Sequence, residues 1–295
     1  MLAINENIIP MQYKYYPFRL LQKLKLLEFF NSKVTSIYAG KKFRIPILNG
    51  IGLSNLITTE EWMKDLMMKV LKLKEGIFID VGANIGQTLM KLRSFSSARY
   101  IGIEPNPDCV VYLEKLIHIN RIEDCIICPV GLSTNNGLLT LYGNSPAASG
   151  ASIIKYFRED VKKYLSHTHV ISVMKGDELI NTFASGDQIA LIKIDVEGAE
   201  LEVLQGLSAT LSLSRPFIIC EILPVYSIDK TNGAFRKERQ DRVLALLGSL
   251  HYSIFRIKSR NKFEFLSDIE VHGKMELSDY VFVPNELKES FVAIP

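Results

Sequence analysis

The sequence contains little of what marks a secreted, membrane-spanning or zinc-ribbon protein. Its 295 residues include only four cysteines, and the pair Cys125-x-x-Cys128 has no second pair to complete a zinc site. We therefore expect free, buried thiols in a reducing, cytoplasmic location. There is no run of about 18 apolar residues, and the N-terminus lacks a basic segment followed by an apolar one, so we predict neither a transmembrane segment nor a secretory signal.

Charge of one sign is also scarce. The formal net charge is +3 and the basic residues form no long block, so we expect no nucleic-acid partner. The hydrophobic content of 47% suits an enzyme with a sizeable core. An amphipathic helix is predicted from Phe18 to Phe30, and its lysines either face water or contact a membrane surface peripherally. The sequence does not indicate the oligomeric state.

The most informative segment runs from Phe78 to Thr88, where a short apolar run reaches Asp80 and then opens into spaced glycines. Gly82 allows a sharp backbone turn, and Gly86 allows the following helix to pack close to the strand. This pattern predicts a strand, a turn and a helix that bind a nucleotide-containing cofactor.

Two features distinguish S-adenosylmethionine from a dinucleotide as the cofactor. Asp80 and Asn84 place a carboxylate and an amide in the turn, at the position where a dinucleotide site would bind a pyrophosphate. A carboxylate there repels a pyrophosphate but attracts the ammonium or sulfonium group of S-adenosylmethionine, which we favour over NAD. Glu104 ends a second apolar strand roughly 20 residues after the turn, a spacing typical of an acid that binds a ribose diol.

The pattern after residue 76 alternates between strands and helices, which predicts parallel βαβ units. A helix is expected at 60–71, capped by Thr58 and Thr59, and another at 199–213. Asp177 is expected to cap the helix in which it lies. The small-residue loop at 144–152 is either a lid over the site or a plain surface connection. Further strands are predicted at 42–48, 77–81, 99–103, 125–130, 137–142, 169–174, 189–194, 217–222, 251–257, 262–266 and 280–284, and helices at 87–94, 108–120 and 237–249.

Four acids stand where an apolar strand stops. Because ligands bind beyond the carboxyl ends of parallel strands, we expect these acids to surround one crevice. Clustered carboxylates have raised pKa values unless a cation or hydrogen bonds compensate, which makes them candidates for chemistry. The four are Asp80, Glu104, Asp195 and Glu221.

Three segments together resemble the FkbM family of S-adenosylmethionine-dependent methyltransferases: Phe78 to Gly86, Ile189 to Glu200, and Pro216 to Glu221. The resemblance covers roughly residues 60 to 225. It implies an α/β fold of class I methyltransferase type, with a Rossmann-like seven-stranded sheet, an antiparallel last strand and helices on both faces. We expect this domain at residues 76–295, with residues 1–75 as a helical extension packed on it.

The expected site combines the turn, the ribose-binding segment and the ends of later strands. Asp195 is the first choice for the base that methyl transfer to a hydroxyl requires, and Glu197 and Glu221 are the second choices. Asp195 and Glu221 could instead hold a divalent cation, which is not favoured because no third ligand is evident. Lys193 either pairs with a site acid or extends to solvent. The predicted cofactor-binding residues are Asp80, Gly82, Ala83, Asn84, Gly86, Glu104, Pro105, Asn106, Gly131 and Asp195.

The predicted function is an O-methyltransferase that acts on a hydroxyl of a saccharide or glycan. The alternatives are a polyketide-type acceptor and a protein that binds the cofactor without turnover. A nucleic-acid methyltransferase is disfavoured because Asp195-Val196-Glu197-Gly198 stands where an Asn-Pro-Pro-Tyr loop would be. A polar variable region, which can hydrogen-bond a sugar, includes Asn144, Ser145, Ser149, Ser152, Lys155 and Tyr156. His167 and His169 flank this region and are further candidates for a base.

Overall fold

The computed structural model describes residues 31–155, 166–229, 231–259 and 261–294. The predicted helix from Phe18 to Phe30 lies outside these residues, so its contact with a membrane surface stays a prediction. The strands are β1 Asn31–Tyr38, β2 Lys41–Leu48, β3 Ile77–Val81, β4 Tyr100–Ile103, β5 Cys125–Cys128, β6 Gly131–Ser133, β7 Gly137–Gly143, β8 His167–Lys175, β9 Ile189–Ile194, β10 Phe217–Glu221, β11 Tyr252–Ser259, β12 Lys262–Leu266 and β13 Asp279–Pro284. The helices are α1 Glu61–Leu73, α2 Gln87–Arg93, α3 Pro107–Asn120, α4 Gly176–Phe183, α5 Glu200–Gly206, α6 Ser208–Ser214, α7 Thr231–Ser249 and α8 Lys288–Ala293.

The central sheet has the spatial order β12-β11-β13-β10-β9-β3-β4-β5. The strands from β10 to β5 are parallel, and β13 inserts antiparallel between β10 and β11. This confirms the predicted class I fold with its antiparallel last strand. The sheet has eight strands rather than seven, because β12 pairs with β11 as a hairpin and adds an edge strand.

Helices cover both faces of this sheet, as predicted. Side chains of a strand alternate between faces, so Ile79 and Phe78 enter two different cores. Ile79 packs with apolar residues of α4 to α7, and Phe78 packs with those of α1, α2 and α8. Because both faces are buried, the central strands are continuous apolar runs rather than alternating ones.

Within the expected N-terminal extension, residues 31–48 form the antiparallel hairpin β1–β2, in which β2 matches the strand predicted at 42–48 and β1 was not predicted. Its two-residue loop, Ala39-Gly40, has positive φ at both positions, the conformation that joins twisted antiparallel strands. The inner face of the hairpin packs on α3, where Tyr38 and Tyr112 share one core. The domain boundary near residue 75 stays a prediction.

The expected helix at 199–213 is two helices, α5 and α6. At their junction Gly206 approaches the backbone so closely that a Cβ would lie 2.2 Å from the Ser133 oxygen. Asp177 caps α6 rather than its own helix, because its carboxylate accepts hydrogen bonds from the Ala209 and Thr210 amides at 3.1 and 2.9 Å. The break thus depends on contacts with distant segments.

Helix α1 also begins differently from the prediction. Glu60 occupies its N-cap position with φ of 47°, and neither Thr58 nor Thr59 caps it by a side-chain hydrogen bond. The Glu60 carboxylate pairs instead with Lys91 on α2, at 2.7 Å. This turns the residue toward the carboxyl ends of the central strands.

A small second sheet, in the order β6-β8-β7, lies over those carboxyl ends. Its own apolar core is limited to a few side chains around Leu141, Ile171 and Val173. Within the described ranges, none of the helices combines the length and the apolar character that crossing a bilayer requires.

Candidate functional site

A cavity of about 420 Å³ opens at the carboxyl ends of β3, β4, β9 and β10, between the main sheet and the small one. Its size is within the range of small-molecule sites, and its place is the one expected for an α/β sheet. Most of the predicted site residues line it. They are Gly82, Ala83, Asn84, Glu104, Pro105, Asn106, Gly131, Asp195, Glu197 and Glu221.

The turn after β3 depends on two glycines with different roles. Gly82 has φ of 84°, and a Cβ there would lie 1.9 Å from the Asp195 carbonyl oxygen, so the residue lets two strand ends approach each other. Gly86 has φ of 81° and faces Leu113 and Leu116 of α3, each 2.9 Å from where a Cβ would be. Gly86 supports the turn by packing and does not line the cavity.

Asp80 also does not line the cavity, which corrects its expected contact with the cofactor. Strand β3 continues to Val81, and the alternation of side chains turns Asp80 into the core beneath the turn, where it is fully buried. Its Oδ2 accepts a hydrogen bond from Tyr100 Oη at 2.6 Å, and its Oδ1 lies 3.5 Å from Lys193 Nζ. Burial raises the pKa of Asp80, and Lys193 and Tyr100 oppose that rise.

Lys193 connects this buried acid with the cavity. Its Nζ lies 3.1 Å from Asp195 Oδ2. Lys193 therefore pairs with the site acids and does not extend to solvent. Burial lowers the pKa of Lys193, but Asp195 and Asp80 outweigh that effect and raise it above its ordinary value. The cation therefore stays charged and holds Asp195 in a fixed position.

Glu104 lines the cavity with its carboxylate held on two backbone amides. Oε2 accepts from the Asn84 amide at 2.7 Å and Oε1 accepts from the Asn106 amide at 2.8 Å. Burial raises the pKa of Glu104 to about 7, against the lowering effect of these two hydrogen bonds. The contacts tie the turn after β3 to the end of β4 and fix the acid predicted to bind a ribose diol.

The three predicted catalytic acids form one cluster. Each of Asp195, Glu197 and Glu221 offers a carboxylate oxygen within 4.8 Å of those of the others. Burial, followed by Asp195 and Glu197, raises the pKa of Glu221 to about 9, and Ser278 Oγ donates to Glu221 Oε1 at 3.1 Å. The cation alternative was not favoured because the sequence showed no third ligand, and the structure places Glu197 in that position. The cluster therefore has the composition for either proton transfer or cation binding.

The turn that carries Glu197 is strained and held in place. Glu197 has φ of 55° and Gly198 has φ of 107°. Ser152 Oγ donates to the backbone carbonyl of Glu197 at 2.7 Å, and Arg239 Nη2 donates to the backbone carbonyl of Gly198 at 2.9 Å. The Gly198 amide donates to Glu200 Oε1 at 2.8 Å. Such restraint maintains left-handed backbone at functional positions.

Two further acids lie beside the cluster. Asp279 begins β13 directly opposite Glu221, and burial, followed by Glu60 and Asp195, raises its pKa to about 7. Glu60 lines the cavity near the start of α1. Asp279 is recognisable only once β13 is known to insert beside β10, because its neighbours along the chain carry no motif.

The loop at 144–152 covers the cavity, which favours the first of its two interpretations. Ala148, Ser149 and Ala151 line the cavity, and Asn106 Nδ2 donates to the Pro146 oxygen at 2.7 Å. In contrast, neither His167 nor His169 lines it, so the suggestion that they act as a base is not supported.

Comparison with known proteins supplies the family context. The family described as Methyltransferase FkbM domain matches residues 80–254. The chain is 30% identical over 153 residues to the hexuronic acid methyltransferase AglP of Haloferax volcanii, covering 50% of this chain and 56% of that protein. It is also 30% identical over 154 residues to methyltransferase sdnD of Sordaria araneosa, covering 43% of this chain and 59% of that protein. The matches thus span less than two thirds of these relatives.

Solved structures with a related arrangement include an FkbM methyltransferase of Methylobacillus flagellatus, with 17% identity and a TM-score of 0.42 over 70% of this chain and 43% of that one. Another is the S-adenosylhomocysteine-bound methyltransferase PaMTH1 of Podospora anserina, with 8% identity and a TM-score of 0.43 over 96% and 97% of the two chains.

Proposed function

Because this chain belongs to the FkbM methyltransferase family, we propose that it transfers the methyl group of S-adenosylmethionine to a hydroxyl oxygen of a saccharide. The observation that carries the hydroxyl assignment is the cluster of Asp195, Glu197 and Glu221 at one end of the cavity. An alcohol is a weak nucleophile, and a positioned carboxylate that accepts its proton is the group that such a transfer requires.

The cavity residues fit S-adenosylmethionine, which supplies a methyl group on a positively charged sulfur. Glu104 offers a carboxylate for a ribose diol, and the turn from Gly82 to Asn84 brings backbone close to the cavity. The acid cluster favours a positive charge in its neighbourhood.

The proton of the acceptor passes to the acid cluster in this proposal. Lys193 pairs with Asp195, and Asp195 is one of the neighbours that raise the pKa of Glu221. Bringing a positive charge into the cavity lowers the pKa of Glu221, so that more of this carboxyl group is ionised and free to accept a proton. Glu197 completes the cluster on a restrained turn.

A neutral hydroxyl suits this cavity better than a carboxylate acceptor. The name of the relative from Haloferax volcanii specifies a hexuronic acid, which contains both kinds of oxygen. A carboxylate is already ionised and needs no base, and three acids within 4.8 Å of one another would repel it. We therefore favour a methyl ether as the product over a methyl ester.

The saccharide acceptor rests on two supports. One is that relative, and the other is the polar content of the covering loop, where Ser149 lines the cavity and Asn144 and Ser145 are exposed. A site that hydrogen-bonds several hydroxyls discriminates strongly between acceptors, because an analogue that lacks one leaves a polar group unpaired. Tyr156, which belongs to the same polar variable region of the sequence, lies outside the described residues.

The test is methyl transfer from labelled S-adenosylmethionine to three acceptor sets: oligosaccharides that contain uronic acids, neutral oligosaccharides, and polyketide-type alcohols. Each product is then treated with mild alkali, which cleaves a methyl ester and leaves a methyl ether intact. We expect alkali-stable label on a saccharide. The variant Asp195→Asn should lose that transfer, whereas the matched control Asp241→Asn, an exposed acid on α7, should retain it.

The outcomes separate the parts of the proposal. Alkali-labile label would overturn the hydroxyl assignment and leave the saccharide intact. Label only on the polyketide-type alcohols would overturn the saccharide assignment. Binding of S-adenosylmethionine without transfer to any of the three sets would favour the non-catalytic alternative.

A further inference from the structure

A second group of metal-binding side chains lies outside the cofactor cavity. Asp108, His167 and His169 place one ligand atom each within 4.8 Å of the others, and none of the three lines the cavity. The two imidazole Nε2 atoms are 3.0 Å apart, and the Asp108 Oδ2 atom lies 3.9 Å from that of His167 and 3.7 Å from that of His169.

These separations are close to those of a tetrahedral zinc site. With zinc–nitrogen distances of about 2.0–2.1 Å, two ligand atoms on a tetrahedral ion are about 3.3 Å apart. The three observed distances, 3.0, 3.7 and 3.9 Å, differ from that value by about 0.3 to 0.6 Å. Small rotations of the side chains would bring all three onto one ion.

The local structure aims the three side chains at one point. His167 and His169 are two residues apart on β8 and therefore project from the same face. Asp108 lies in the first turn of α3, which the Asn106 side chain caps by accepting a hydrogen bond from the Asp108 amide. The side chains are 26% to 38% exposed, so an ion can reach them from solvent and retain a water as fourth ligand.

The position of this group gives it a consequence for the cofactor cavity. His169 stands opposite Leu141 in the β7–β8 pairing, and Leu141 lines the cavity from the small sheet. Asp108 follows Glu104, Pro105 and Asn106, which line it from the main sheet. Because the small sheet has a limited apolar core, an ion at this point would add a firm connection between the two walls.

We propose that Asp108, His167 and His169 bind a zinc ion, and that the ion clamps the small sheet onto α3 over the cofactor cavity. Two imidazoles and one carboxylate with an open fourth position form a ligand set that zinc commonly takes. The ion acts here by position, since its ligands do not reach the cavity.

The test uses the full chain after treatment with a chelator that is then removed. Zinc is titrated against a chromogenic competitor, and we expect one equivalent to bind. His169→Ala and the more conservative Asp108→Asn should each lower zinc affinity by at least about 100-fold, the upper end of what even outer-sphere changes cost. The matched control is His118→Ala, which removes an exposed histidine on the same helix as Asp108 and should bind zinc like the wild type.

Cobalt substitution locates the ion, and iron(II) titration tests the other metal that this ligand set suits. The visible spectrum of tetrahedral cobalt should disappear in His169→Ala and persist in Glu221→Gln. The opposite result would place the ion at the acid cluster and overturn the proposal. Failure of the wild type to bind an equivalent of zinc, with the two histidines merely hydrogen-bonded to each other, would also overturn it, as would preferential binding of iron.

The clamp itself has a separate measurement. S-adenosylmethionine affinity, measured by calorimetry with and without zinc, should increase severalfold with the ion in the wild type and not in Asp108→Asn. Stoichiometric zinc with no effect on cofactor affinity would overturn the clamp. Neither experiment requires methyl transfer, so failure of the proposed function would leave both readouts intact.

Discussion

Glu104 joins the two walls of the cofactor turn through its two carboxylate oxygens, and its own charge faces the cavity. Glutamine has nearly the same side-chain shape as Glu104, but it has no charge and offers only one acceptor oxygen. One of the two backbone amides would then face an NH₂ group, which is a donor and cannot accept its hydrogen bond. We expect Glu104→Gln to weaken S-adenosylmethionine binding by about tenfold or more, since hydrogen bonds to a charged group contribute roughly 1.5–3 kcal/mol. Calorimetry with the cofactor measures this, and Glu123→Gln, an exposed acid outside the cavity, is the control.

An unchanged cofactor affinity in Glu104→Gln would mean that this carboxylate organises the turn without binding the ribose. Tighter binding of NAD than of S-adenosylmethionine by the wild type would contradict the choice of cofactor itself.

Asp195 is the residue at which the base and the cation interpretations differ. We expect Asp195→Asn to keep the fold and most of the cofactor affinity and to lose turnover by about 100-fold or more, as removal of a base or a metal ligand does. Turnover and cofactor binding are measured separately, with and without a chelator. Activity that survives the chelator but not the substitution indicates a base without a metal. Full activity of the variant would exclude both roles.

At the scale of elements, Asp177 connects two helices that are separate in the chain. Its carboxylate accepts three hydrogen bonds at the start of α6, from the Ala209 and Thr210 amides and from Thr210 Oγ1. We expect Asp177→Ala to lower the free energy of unfolding by about 1–2 kcal/mol, the usual cost of losing an N-cap. Denaturant unfolding measures it, and the neighbouring Glu178→Ala, an exposed residue, should cost less.

If Asp177→Ala proved no more costly than Glu178→Ala, the break between α5 and α6 would depend on the close approach of Gly206 to Ser133 and not on this cap.

At the scale of the whole molecule, the acids around the cavity make stability depend on pH. Burial raises the folded-state pKa of several carboxyl groups above the unfolded value of about 4, so folding favours their protonated forms. Their contribution to stability is complete below that unfolded pKa and is lost as the pH rises through the folded pKa values. The groups are Glu104, Glu200 and Asp279, with pKa values near 7, and Glu221, near 9.

We therefore expect the protein without cofactor to lose thermal stability between pH 6 and pH 9. Glu221→Gln should flatten the upper part of this dependence, because an amide keeps the hydrogen bonds of the protonated acid and does not ionise. At pH 9 its Tm should exceed that of the wild type by a few degrees, given that 1 kcal/mol shifts the Tm of a protein this large by about 2–4 °C. Thermal melts across pH measure both effects.

The exposed acid Glu276 supplies the control for this series, because Glu276→Gln should retain the pH dependence of the wild type. A Glu221→Gln variant that follows the wild type at every pH would show that Glu221 does not ionise in this range.

The sequence by itself determined the central sheet and most of the cavity lining. Strands β3, β4, β9 and β10 are short apolar runs bounded by acids or glycines, and both-sided burial of a parallel sheet requires such runs. The carboxyl ends of parallel strands meet at one edge, which predicts that Glu104, Asp195 and Glu221 converge, and all three line the cavity. These features depend on residues that are close together in the chain, so hydrophobic periodicity and short motifs predict them.

The tertiary structure alone decided the features that depend on contacts between distant segments. Asp80 was expected in the crevice, but it is the second-last residue of β3, whose predicted and observed bounds agree, and the alternation of side chains turns it into the core. Asp279 joined the site only because β13 inserts beside β10, and the two histidines met Asp108 only because the small sheet folds over α3. Strand ends, helix breaks and cross-element clusters are set by packing, and packing between residues far apart in the chain leaves no period along it.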